Sequence, residues 1–147
     1  LQTHFRLRLS NKYNFEKNFL EKKNLKIIDT KRNIFEYTTR SQLVLFLYNS
    51  TGILENLALN IPTVCYWPNV DNSRNDMDSN YINLLKKSEI LFDNPLLLTN
   101  HILDKFNNVE HWWNNENLQK NRIKLCEEYS TIPLKNSLKK LAREIKI

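Results

Sequence analysis

The sequence predicts an α/β fold: a parallel β-sheet flanked by helices, followed by a helical tail over about residues 95–147. Three observations predict it. Short strand-like runs alternate with helical periodicity as far as residue 92, the pattern of strand–helix–strand units. The run at 43–47 (LVLFL) is continuously apolar, as expected of a strand covered on both faces. Beyond residue 95 the periodicity is helical only.

The elements follow in order. Residues 4–9 (HFRLRL) alternate, with Phe5, Leu7 and Leu9 on one face, and read as a strand. Residues 14–23 (NFEKNFLEKK) space Phe15, Phe19 and Leu20 as a helix, with Asn14 as its cap. Residues 25–29 (LKIID) read as a short strand, and residues 33–40 as one or two helical turns. After the strand at 43–47, residues 51–59 place Ile53, Leu54, Leu57 and Ala58 on a helical face. Residues 62–67 (PTVCYW) form the next strand, with Pro62 tolerable at its first position. A polar loop at 68–76 leads to a helix at 78–87 and a strand at 90–92. Helices follow at 95–106, 109–129 and 134–145. No internal repeat or linker interrupts the chain, so all 147 residues read as a single domain.

Composition narrows the class. Hydrophobic content of 41% and charged content of 26% are those of an ordinary globule. No stretch approaches the roughly 20 apolar residues of a membrane span. The first residues are not a signal peptide and there is no initiator Met, so the chain is expected to be a fragment that begins inside a longer protein. The net charge of +6 favours an anionic partner, but the basic residues are interleaved with acids and no nucleic-acid motif appears. Nucleic acid is therefore not expected. Cys65 and Cys126 stand far apart with no CxxC, and read as reduced thiols of a cytosolic protein. His4, His101 and His111 have no metal-ligand spacing. Asp76-Met77-Asp78 spells DxD but precedes a helix, where capping explains it. A calcium loop over 71–82 fails at Asp76, where Gly is needed, and at Ile82, where Glu is needed. No metal and no cofactor are expected.

The chain has a single glycine, in the turn Tyr48-Asn49-Ser50-Thr51-Gly52 between an apolar strand and a helix. In open parallel sheets, ligands bind beyond the carboxyl ends of the strands. A helix N-terminus there offers unpaired N–H groups and a partial positive charge, which suit phosphate. Ser50 and Thr51 add hydroxyls, and Gly52 would let an anion approach the backbone. Glu55, one turn on from Thr51, would share that face and accept from a ribose diol. The same residues equally describe a Ser/Thr N-cap with an acidic residue that complements the dipole. The turn is neither a Walker A loop nor GxGxxG.

The stretch 49–64, NSTGILENLALNIPTV, resembles the phosphate-binding segment in the C-terminal half of GT-B-fold glycosyltransferases. Residues 81–91 (YINLLKKSEIL), Asp93-Asn94-Pro95 and Trp112-Trp113, followed by Gln119, Arg122, Leu125 and Cys126, resemble the tail of a transferase family linked to bacterial surface-carbohydrate assembly. The likeness covers about residues 43–130. It implies a Rossmann-like domain that binds a nucleotide-diphosphate sugar and faces a missing N-terminal domain across a cleft. By that resemblance Ser50, Thr51 and Gly52 match the diphosphate turn and Glu55 the ribose contact. Arg74 matches a basic loop residue facing the leaving phosphate, and Arg8 a basic strand-end position in the cleft. The catalytic base would lie outside the chain, which by itself would be inactive. The family pattern has Gly where this chain has Glu89. Two other functions stand beside this one: a nucleotide-sugar epimerase-like half, and a non-catalytic interaction module. The segment 134–145 is amphipathic and basic, suited to docking within the protein or to peripheral contact at the inner face of a membrane. The paired tryptophans point about 100° apart on a helix, and the commoner role for such a pair is to clamp a helix onto the core.

Overall fold

A computed structural model describes residues 4–5, 26–27, 33–68, 70 and 79–130. The chain divides into two compact units, Leu1–Arg40 and Ser41–Ile147. The helices expected at 14–23 and 134–145 lie outside the described residues.

In the first unit β1 (His4–Phe5) pairs in parallel with β2 (Lys26–Ile27), His4 opposite Lys26 and Phe5 opposite Ile27. Parallel pairing requires a crossover of a dozen residues or more, and residues 6–25 supply that length. A single helical turn, α1 (Phe35–Thr38), starts where the Asn33 side-chain oxygen accepts from the Phe35 N–H at 3.1 Å.

The second unit is a three-stranded parallel sheet with helices. Its strands are β3 (Val44–Phe46), β4 (Thr63–Tyr66) and β5 (Leu91–Phe92), in the order β3-β4-β5. Helix α2 (Thr51–Ala58) joins β3 to β4, and α3 (Ser79–Lys87) lies between β4 and β5. Right-handed crossovers that step across the sheet in one direction place both helices on one face. The tail supplies α4 (Pro95–Lys105), a 3₁₀ turn, α5 (Val109–Trp113) and α6 (Glu116–Tyr129). Helix α6 packs against both α2 and α3.

Local chemistry sets the boundaries. Three helices begin at a side-chain cap. Ser50 Oγ accepts from Gly52 N, Asn94 Oδ1 from Leu96 N and Leu97 N, and Asn115 Oδ1 from Asn117 N and Leu118 N. Pro95 stands at the first position of α4, where its missing N–H costs nothing. Helices α2 and α3 end alike. Asn60 N–H donates to Leu57 O and Ile61 N–H to Asn56 O; Glu89 N–H donates to Lys86 O and Ile90 N–H to Leu85 O. This pairing is the Schellman stop, which puts the residue after the helix in the left-handed region. Asn60 and Glu89 have φ of 57° and 54°, and both following residues, Ile61 and Ile90, are buried. The Glu89 position is thus one that glycine would suit.

The core is the zone where α2, α3 and α6 meet β4. Ile53 and Leu57, Val64 and Cys65, Ile82 and Leu85, and Leu125 are fully buried. Their helical members recur at spacings of three or four, one stripe per helix.

Two expectations are corrected. The run at 43–47 was to be covered on both faces, but Leu45 is 43% exposed and Leu47 is 58% exposed. Among the described residues β3 pairs only with β4, and it is β4, between its neighbours, whose Thr63, Val64 and Cys65 are all buried. The helix expected over 109–129 breaks at Asn114 and Asn115, because Asn115 caps a new helix instead of continuing the old one.

Candidate functional site

Because all three strands run in parallel, their carboxyl ends share one rim, and the helix that follows each strand starts there. Beyond Phe46 the chain passes through Leu47 and Tyr48, 58% and 52% exposed, to the Ser50 cap and α2. Trp67, buried, follows β4 and donates its backbone N–H to Phe92 O. Helix α3 finishes near the start of β5, so its N-terminus, Ser79, faces the same rim. Beyond Phe92, Asp93 and Asn94 lead into α4. The partial positive ends of three helices therefore open on this edge.

The turn before α2 is the centre of the candidate site. Ser50 is an N-cap in extended conformation whose Oγ accepts from Gly52 N at 3.3 Å, while its carbonyl accepts from Ile53 N at 3.0 Å. An anion at this turn would compete with Ser50 Oγ for the Gly52 N–H. Thr51 and Glu55 are exposed one turn apart. Gly52 has a physical reason of its own. Its φ is not positive, and a Cβ there would meet Phe46 Cε1 and Cζ at 3.1 and 3.2 Å. The missing side chain makes room for the Phe46 ring. Ser50, Thr51, Gly52 and Glu55 are thus together at the head of α2. Arg8 and Arg74 lie outside the described residues, as do Asp76, Met77 and Asp78.

Other sequence candidates resolve into packing. Trp112 and Trp113 are both buried, with ring centroids 5.4 Å apart. Trp113 Nε1 donates to Asn60 Oδ1 at 2.9 Å and to Asn60 O at 3.2 Å. Trp112 meets His101 edge-on at 5.0 Å, and His101 also lies 4.9 Å from the Phe92 ring. Burial lowers the His101 pKa from its ordinary value and the Lys105 charge adds to this, while Glu89, 3.9 Å from Nδ1, opposes it. Cys65 is free and fully buried, and burial pushes its thiol up, away from reactivity. Burial also raises the half-buried Cys126, against the pull of nearby Arg122.

The sequence reading gave no role to Asn56, which is 2% exposed on α2 with its Nδ2 unpartnered. Its place inside the apolar stripe, between Ile53 and Leu57, was the available signal. Among the described residues no cluster of His, Cys, Asp or Glu could hold a metal ion, and no helix is long and apolar enough to cross a membrane.

A parallel α/β sheet with helix N-termini gathered at its carboxyl rim defines a class of proteins that bind ligands at that edge. The particular family is given by comparison with family models: the chain belongs to the LIC12162 family of transferases, whose model matches residues 1–145. No curated protein and no solved structure matches the chain.

Proposed function

We propose that this chain is the donor-binding half of a GT-B-type glycosyltransferase that works in surface-polysaccharide assembly, on the cytoplasmic side of the membrane. The observation that carries the proposal is the Ser50-capped start of α2 at the carboxyl rim of a parallel sheet, in a chain of a transferase family. The diphosphate of a nucleotide sugar would sit against the first turn of α2, on the N–H groups and hydroxyls of Ser50, Thr51 and Gly52. Glu55 would accept from the ribose hydroxyls. The chemistry is departure of a nucleoside diphosphate as the glycosidic bond forms. The protein's task is to stabilise the negative charge that grows on the leaving phosphate. The helix dipole contributes roughly 0.3–1 kcal/mol to that task. A cation is needed beside it, and Arg74, in the segment between β4 and α3, is the residue proposed. The acceptor and the catalytic base belong to the partner domain.

The test is a titration of the ¹⁵N-labelled chain with UDP and, separately, with inorganic pyrophosphate. Amide shifts centred on residues 50–55 are expected with both. Glu55→Gln is expected to weaken UDP binding and leave pyrophosphate unchanged. Shifts confined to α4, α5 and α6, or none at all, would overturn the proposal.

A further inference from the structure

Helix α2 is anchored at the end opposite the rim by side chains from the tail. Arg122 on α6 donates from Nη1 to Leu57 O at 2.6 Å. That carbonyl already accepts from the Asn60 N–H, and it belongs to the last turn, where a helix carries partial negative charge that attracts a cation. Arg122 Nε donates to Gln119 Oε1 at 2.8 Å, and Gln119 Nε2 donates to Trp113 O at 2.7 Å. The Trp113 indole then returns to Asn60, the left-handed residue that ends α2. The relay leaves α2 at Leu57 and rejoins it at Asn60. Its members are the residues of the tail motif to which the donor reading assigns no task.

We infer that Arg122 is a positioning residue: through this relay it fixes the setting of α2 along its axis, and with it the Ser50–Gly52 turn at the rim. The function of that turn rests on the reading proposed above; the clamp does not. An eight-residue helix is only about 12 Å long, little more than two turns, so an anchor at one end sets the other. The cation suits the task because a hydrogen bond from a charged donor is stronger than a neutral one, and the guanidinium reaches two acceptors at once.

The test compares Arg122→Gln and Arg122→Lys with the native chain, by amide spectra and hydrogen exchange without ligand. In R122Q the amides of Gly52 and Ile53 are expected to shift, and the α2 amides to exchange about tenfold faster or more. Amides of β5 and α4 should be unchanged. R122K, which keeps the cation and a donor to Leu57 O, should return α2 exchange to within about threefold of native. Changes limited to the surroundings of Leu57 and Asn60 would overturn the inference. So would equal acceleration throughout Ser41–Ile147, which would make Arg122 a contributor to general stability only. If the native chain binds no UDP the donor reading falls, and the ligand-free exchange still decides the clamp.

Discussion

The single glycine offers the sharpest test of how this chain is put together. In Gly52→Ala the new methyl would lie 3.1 and 3.2 Å from two Phe46 ring carbons and 3.4 Å from Ser50 Oγ. Carbon–carbon contacts are comfortable at roughly 3.5–4.0 Å, so the ring must retreat by a few tenths of an ångström. Overfilling a tightly packed core costs about 1–3 kcal/mol. Phe46 is only partly buried, which puts the cost here near the lower figure, about 1 kcal/mol. Against it stands the gain in helix propensity, up to about 1 kcal/mol in a helix interior and less in a first turn. The backbone adds no strain, because φ at Gly52 is not positive. The net expectation is a loss of about 0–1 kcal/mol, or at most a few degrees in Tm. In a Phe46→Leu background the two clashing carbons are gone, and the same substitution should become neutral or stabilising by up to about 1 kcal/mol. Urea unfolding of the native chain, both single variants and the double variant gives the coupling directly, with about 1 kcal/mol expected. Equal effects of Gly52→Ala in both backgrounds would refute the packing account of this glycine.

Two further expectations concern the end of α3 and the histidine beside it. Glu89→Gly relieves a left-handed conformation that costs an L-residue about 1–2 kcal/mol, offset by the greater freedom of glycine in the unfolded chain. At pH 8, where His101 is neutral and gains little from the Glu89 carboxylate, a rise in Tm of about 2–4 °C is expected in thermal melts; a fall would contradict the strain argument. His101 titrates below its ordinary value of 6.5 in the folded chain, chiefly through burial. The unfolded chain therefore takes up a proton first as pH drops through 6.5. Stability that is complete above that pH is lost as pH falls toward the depressed folded value, at no more than about 1.4 kcal/mol per pH unit. His101→Phe, which also removes the buried unpartnered Nε2, should flatten the decline between pH 7 and pH 5 in urea unfolding. An unchanged slope would show that other groups cause it.

The sequence by itself determined the class of the fold, the order of strands and helices in the second unit as far as α4, and the starts of α2 and α4. These features are written within a few residues. Ser50 and Asn94 reach amides two or three positions ahead, and apolar spacing decides which period a segment can satisfy. Only the tertiary structure decided which strand is central, and that Gly52 makes way for Phe46. It also decided that both tryptophans turn inward and that Arg122 caps α2. Trp113 meets Asn60 from 53 residues away and Arg122 meets Leu57 from 65. An apolar run such as 43–47 reads the same at the edge of a sheet as in its middle, because neighbours are chosen by segments distant along the chain. What a side chain finally touches depends on how helices and strands stack, and no local pattern carries that information.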